Sequence, residues 1–182
     1  HLQSRCDAAG LANRPHIKTH KSPFLAKRQL AAGADGITCQ KLGEAEVMAE
    51  AGVGDILIAT NIIGAARSGR LAALQRRMSL KICADNPVSL AAYAEAGGAA
   101  DRPVNVLIEC DTGRKRAGVE TPGEAVALAQ MVRDDPWLHF GGLLFYPPSD
   151  GWPATQQFLD TAREGLADLG LVPEIISTGG TP

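Results

Sequence analysis

Two kinds of apolar pattern alternate from end to end of this 182-residue chain. Short continuous runs rich in Ile, Leu and Val predict strands at about 14–18 (RPHIK), 36–39 (GITC), 55–59 (DILIA), 79–83 (SLKIC), 104–110 (VNVLIEC), 139–145 (HFGGLLF) and 174–178 (EIIST). Continuous rather than alternating runs suit strands covered on both faces, as in a parallel sheet. Between them apolar positions recur at helical spacing. Leu42, Ala45, Met48 and Gly52 do so in one segment, and Phe158, Ala162, Leu166 and Leu169 in another, with Thr155 in its N-cap neighbourhood. Gly33, Gly52, Gly97 and Gly170 stand where helices should stop before the next strand. A helix-like stretch from Leu2 to Ala12 opens the chain.

Strand–helix repetition predicts βαβ units with right-handed crossovers. The seven strands read above predict an α/β fold of the (β/α)8 TIM-barrel type, with 1–182 as one barrel domain. A closed barrel needs eight strands and roughly 250 residues, so the chain reads as part of a longer polypeptide.

Composition narrows the function classes. Aromatic residues are 4% of the chain, so its core is built from Leu, Ile, Val and Ala. A net charge of −2 offers no electrostatic argument for nucleic acid or a membrane surface. No stretch approaches the roughly 20 apolar residues that span a bilayer. Cys6, Cys39, Cys83 and Cys110 are far apart and form no C-x-x-C pair. They read as free apolar thiols in a reducing, cytoplasmic setting.

In a barrel of this type, chemistry gathers at the C-terminal ends of the strands. Three features are predicted there. The segment Arg14-Pro15-His16-Ile17-Lys18-Thr19-His20-Lys21 places Lys18 at the end of the first strand, where an amine can form a Schiff base. Asp111-Thr112-Gly113-Arg114-Lys115-Arg116-Ala117-Gly118 follows the fifth strand. Ser177-Thr178-Gly179-Gly180-Thr181 follows the seventh, and its glycines and hydroxyls read as a phosphate cradle. An amine, an arginine loop and a phosphate loop on one face suit an aldehyde-bearing phosphate ester such as pyridoxal 5′-phosphate.

The strings RPHIKTHK, GITCQKLGEAEVMAEAG, DILIATNIIG, DTGRKRAG and STGGTP occur in that order. With them the chain, from Arg14 to Pro182, resembles the D-threonine aldolase and D-serine dehydratase group of alanine-racemase-like, fold type III pyridoxal phosphate enzymes. The resemblance implies that Lys18 carries the Schiff base and that Arg116 hydrogen-bonds the cofactor's phenolic oxygen. It also implies that Ser177, Gly179, Gly180 and Thr181 bind its phosphate, and that Tyr146 lies near the pyridine ring. Pro147-Pro148 departs from the Gly/His-rich continuation of that group and places the departure beside the substrate. A desolvated, cation-rich setting supplied by Arg116 and His16 would favour the neutral amine of Lys18.

The resemblance further implies a lyase acting on D-3-hydroxy amino acids, with retro-aldol cleavage to glycine and an aldehyde ahead of D-serine or D-3-hydroxyaspartate dehydration. A non-catalytic protein of cofactor homeostasis and a cofactor-free Schiff-base aldolase are the rival readings. A divalent metal (Mn, Mg or Zn), its ligands in a C-terminal β-domain, and a homodimer are implied for the full-length protein. None of those metal ligands is matched within this chain.

The remaining polar residues have plainer readings. Lys21, Lys27 and Arg28 read as a solvated helix face, and His16 and His20 as hydrogen-bonding groups rather than metal ligands. His139 reads as structural, at the end away from the site. Glu44 and Glu46 read as first-turn helix acids. Asp111 either orients Arg116 or caps its loop, and Arg114 and Lys115 face phosphate, substrate or solvent.

Overall fold

The computed structural model describes residues 1–179. The element order is α1 (Leu2–Ala8), a 3-10 turn (Ile17–Thr19), α2 (Pro23–Ala31), β1 (Ile37–Cys39), α3 (Leu42–Glu50), β2 (Asp55–Ile58) and α4 (Ala65–Gln75). It continues with β3 (Ser79–Ala84), α5 (Pro87–Ala100), β4 (Val104–Cys110), α6 (Pro122–Asp134), β5 (Leu138–Phe145), α7 (Trp152–Asp168) and β6 (Ile175–Ser177). The six strands pair in sequence order, every pair parallel, and form a curled half-barrel.

Strand parity separates two cores. Val104, Val106, Ile108 and Cys110 of β4 join Leu80, Ile82, Ile56 and Ile58 in the large cluster beneath the helices. The opposite face holds a small cluster of Leu57, Cys83, Leu107 and Leu144, with Ile175 against it. Both faces are therefore apolar over most of each strand, which is why the runs look continuous in sequence. Helix starts are equally local in origin. Ser22-Pro23, Asn86-Pro87 and Thr121-Pro122 each place a capping side chain before a proline whose missing N–H costs nothing there. Asn86 and Thr121 follow β3 and β4, and Ser22 follows the 3-10 turn, so these helix N-termini gather on the rim where the strands end.

Four sequence expectations are corrected. The predicted first strand is reduced to one parallel bridge, His16 to Thr38, leaving six strands rather than seven. Pro15 has no N–H to extend the ladder, although its carbonyl accepts from Thr38 N–H at 2.8 Å, and the chain then winds into the 3-10 turn. Gly97 lies inside α5 and not at its end; a Cβ there would meet the Trp137 carbonyl at 2.5 Å, so close packing is what requires glycine. Thr155 lies in the first turn of α7, whose cap is Gly151, and its hydroxyl donates to the Gly151 carbonyl at 2.9 Å. The opening helix also stops at Ala8, short of Ala12.

At the N-terminal ends of the strands, charges are neutralised inside the sheet's curl. Asp55 binds Arg14 at 2.5 Å and Lys81 at 2.8 Å, with Lys81 buried. Burial alone would raise the Asp55 carboxyl, but the hydrogen bonds from Arg14 and Lys81 outweigh it and hold the group below the usual carboxylate range. A depressed native-state value means that Asp55 stabilises the fold fully above the ordinary carboxylate range, a contribution lost as pH falls through the lower native value. Asp55→Asn is therefore expected to lower stability by about 2 kcal/mol near pH 7, discounted for its partial exposure. In denaturant titrations at stepped pH, that difference should shrink toward zero in acid; a constant difference would contradict the assignment.

All four cysteines are free, and Cys39, Cys83 and Cys110 are buried. His139 pairs with Glu174 at 2.9 Å on this same side, as a structural residue should. No described helix is long and apolar enough to cross a membrane.

Candidate active site

Because every strand runs the same way, the residues after Cys39, Ile58, Ala84, Cys110, Phe145 and Ser177 share one rim. The His16–Thr38 bridge is parallel too, so Lys18 emerges level with Gln40, just beyond β1. It does so from the 3-10 turn rather than from a strand end. His16 caps that turn: its Nδ1 accepts from the Lys18 N–H at 3.3 Å, and its Nε2 faces Gln40 Oε1 at 3.3 Å. An accepting Nδ1 places the imidazole proton on Nε2, donating to Gln40. Burial, and then the charge of Lys18, lower the His16 pKa, in keeping with a neutral ring. The Lys18 side chain is exposed, so these residues alone do not supply the desolvated setting expected for it.

His20 accepts from the Ser22 N–H through Nδ1 and reaches Gln29 through Nε2, bracing the start of α2. Lys21 is not on a helix face; it precedes α2 with φ of 49° and pairs with Glu44 at 3.1 Å, while Lys27 and Arg28 are exposed on α2. Glu44 also accepts from the Gln40 N–H at 2.8 Å at the start of α3, and Glu46 pairs instead with Arg70.

The loop after β4 is wrapped around Asp111. Its Oδ1 accepts from the N–H groups of Gly113 and Arg114, both at 2.8 Å, and its Oδ2 from the N–H of Arg116 at 3.1 Å. Asp111 thus caps the loop and, through the backbone, positions Arg116. The Arg116 guanidinium lies 5.1 Å from the centroid of the Tyr146 ring, immediately past β5, and Arg114 lies 4.1 Å from the same ring. Two of the residues expected at the site, Arg116 and Tyr146, are therefore in contact. Ser177, at the end of β6, pairs in register with Leu144 of β5, two residues before Tyr146. Gly179 follows with open space where a side chain would be. Gly180 and Thr181 lie outside the described residues.

Sequence reasoning passed over two residues. Asp85 ties three rim loops together, accepting from Asn61 and Asn86 side-chain amides at 2.8 and 2.7 Å and from the Gly118 N–H at 3.0 Å. The Asp-Asn-Pro end of the third strand was its only local signal. Glu109 is buried on the inner face and accepts from the Cys83 thiol at 3.3 Å. Desolvation raises its pKa, opposed by that hydrogen bond and by the charge of Arg116. An acid within the apolar run VNVLIEC marked it. The Cys83 thiol is itself pushed up by burial and by Glu109, which removes thiolate chemistry there. Arg114, read from the sequence as facing phosphate, substrate or solvent, instead donates to the Tyr146 and Pro147 carbonyls. Among the described residues, no three His, Cys, Asp or Glu side chains converge as a metal ligand set.

A family model described as the alanine racemase N-terminal domain matches residues 2–182. D-threonine aldolase of Arthrobacter sp. is 35% identical, over 99% of this chain and 50% of its own length. D-threo-3-hydroxyaspartate dehydratase of Delftia sp. strain HT23 is 34% identical, over 100% of this chain and 51% of its own. The crystal structure of D-threonine aldolase from Filomicrobium marinum superimposes with a TM-score of 0.90 at 32% identity, over 97% of this chain and 51% of that one. The chain spans about half the length of each of these relatives.

Proposed function

We propose, from the premise that this chain belongs to the alanine racemase N-terminal domain family, that it is the cofactor-binding barrel of a pyridoxal 5′-phosphate-dependent lyase acting on D-3-hydroxy amino acids. The observation that carries this reading is the meeting of amine, guanidinium-on-tyrosine and hydroxyl–glycine features on one rim of a parallel sheet. D-threonine and D-threo-3-hydroxyaspartate, the compounds in two relatives' names, are both D-3-hydroxy amino acids.

The residues present fit the cofactor chemically. An exposed lysine amine can reach an aldehyde, a donor-only guanidinium suits a phenolic oxygen, and a serine hydroxyl beside an unobstructed glycine backbone suits a phosphate. When bound, the cofactor supplies an electron sink that weakens the bonds at the substrate's Cα. The protein's own part is orientation and proton handling. Neutral His16 holds the turn from which Lys18 projects, and Lys18 is the group that gives up and takes back a proton as substrate enters and product leaves. Arg116 keeps positive charge at the phenolic oxygen without serving as a base. Ser177, Gly179, Gly180 and Thr181 anchor the phosphate, and Tyr146 flanks the ring. Which substrate bond breaks depends on how these groups orient it.

Retro-aldol cleavage to glycine and an aldehyde is our leading assignment, with dehydration to a 2-oxo acid and ammonia as the second, since both activities occur in the names of relatives of near-equal identity. Assay of the full-length, cofactor-reconstituted protein on D-threonine, D-serine and D-3-hydroxyaspartate, with and without Mn, Mg or Zn, separates them by product. A cofactor absorbance band with no turnover on any of the three would instead identify a cofactor-homeostasis protein.

A closing strand, a β-domain carrying the metal, a homodimer and a cytoplasmic location belong to the same proposal. The reading frame past Pro182 tests it: a β-rich domain with a His-x-Asp-type pair supports the lyase, and an immediate stop counts against it.

A further inference from the structure

The backbone that leaves β5 is short of donors. Pro147 and Pro148 have no N–H, so this turn offers carbonyl acceptors with few donors to match. Arginine is the complementary side chain, a planar fork with five donors and no acceptor. Arg114 makes that match. Its Nε donates to the Tyr146 carbonyl at 3.2 Å and its Nη2 to the Pro147 carbonyl at 3.1 Å, while its guanidinium carbon sits 4.1 Å from the Tyr146 ring centroid. The segment that presents Arg114 is itself held. Asp111 takes its N–H, and the neighbouring Thr112 hydroxyl meets the Thr155 hydroxyl of α7 at 2.6 Å. The loops after β4 and β5 are thus fastened at two points, with Tyr146 against both Arg114 and Arg116.

We propose that Arg114 is a positioning residue that sets the Tyr146 ring and the Pro147-Pro148 turn, and through them selects among substrate side chains. This rests on the reading above, in which Tyr146 flanks the bound cofactor. Lysine cannot replace it fully, since an ammonium can sit over the ring but cannot fork between two carbonyls. Pro147-Pro148 and the arginine at position 114 then form one device.

The test uses the full-length protein with Arg114→Met, Arg114→Lys, Tyr146→Leu and the Arg114→Met/Tyr146→Leu pair. Arg114→Met should keep the Lys18-dependent absorbance band, and should speed amide hydrogen exchange at Ser149, Asp150 and Gly151. It should also change the ratio of kcat/KM for D-threonine over D-3-hydroxyaspartate by about tenfold. Arg114→Lys should recover part of that change. In the double variant the two effects on the substrate ratio should be less than additive, because both act in part through one ring. The proposal is overturned if exchange at 149–151 and the substrate ratio stay at wild-type values, or if the two single effects simply add. A wild-type protein with no Lys18-dependent band would instead refute the cofactor reading, and the specificity role of Arg114 would fall with it. The exchange measurement would then bear on the loop fastening alone.

Discussion

Lys18→Ala should bleach the reconstituted protein, removing the cofactor absorbance band and lowering kcat/KM by about 10^3-fold or more. The size of the effect follows from removing the amine assigned to the covalent link with the cofactor. The guanidinium groups of Arg114 and Arg116 are donors without an amine nucleophile, and the imidazole of His16 is committed to the Lys18 N–H and Gln40. Lys18→Arg should be almost as inactive, since it keeps the charge but cannot supply a neutral amine. That pair of variants separates nucleophile from electrostatics. Folding should be untouched, because the side chain is exposed and makes no side-chain hydrogen bond among the described residues. Absorbance spectra with thermal melts on the three proteins decide it, and a band that survives in Lys18→Ala would falsify the assignment.

Gly142→Ala is expected to destabilise the protein by at least about 3 kcal/mol and to weaken cofactor retention as well. Between Val106 and Leu107 the pairing of β4 with β5 shifts register, jumping from Phe140 to Gly142. Gly141 is the extra residue of a β-bulge, and the Asn105 side chain occupies the space a Cβ would need there, 1.8 Å away. Gly142 has φ of 142°, and a Cβ on it would lie 1.9 Å from the Ile175 carbonyl. That obstacle is backbone, which cannot rotate aside. Since Ile175 belongs to β6, the clash pushes away the strand that leads to Ser177 and Gly179. Denaturant melts should show the stability loss, and cofactor titration should show weaker phosphate anchoring. Gly123→Ala, where a Cβ meets nothing within 4 Å, is the control and should change neither. A Gly142→Ala protein of normal stability would contradict the close approach.

The bulge also shows where pattern reading stops. The run HFGGLLF announced a strand, and β5 spans Leu138–Phe145. Its parity is another matter: Phe140, Leu143 and Phe145 all face the helices although two residues rather than one separate the first two, because the bulge inserts one residue. Counting in twos from sequence assigns half of that strand to the wrong face. The first strand failed for a related reason. RPHIK has the composition of a strand end, but one proline and one capping histidine convert it into a bridge followed by a 3-10 turn.

For the site, residue chemistry was legible and neighbourhood was not. Lys18, Arg116, Tyr146 and Ser177 could be picked from local strings, and parallel topology puts them on one rim. That Arg116 and Arg114 share the Tyr146 ring, that Asp85 reaches Asn61 and Gly118, and that Glu109 accepts from the Cys83 thiol are relations between residues 24 to 33 apart. Hydrophobic period, proline and caps act within a few residues, so a linear reading recovers the strand–helix alternation and the barrel type. Side-chain partnership across strands depends on sheet register and on one inserted glycine, and those are settled only when the chain packs against itself.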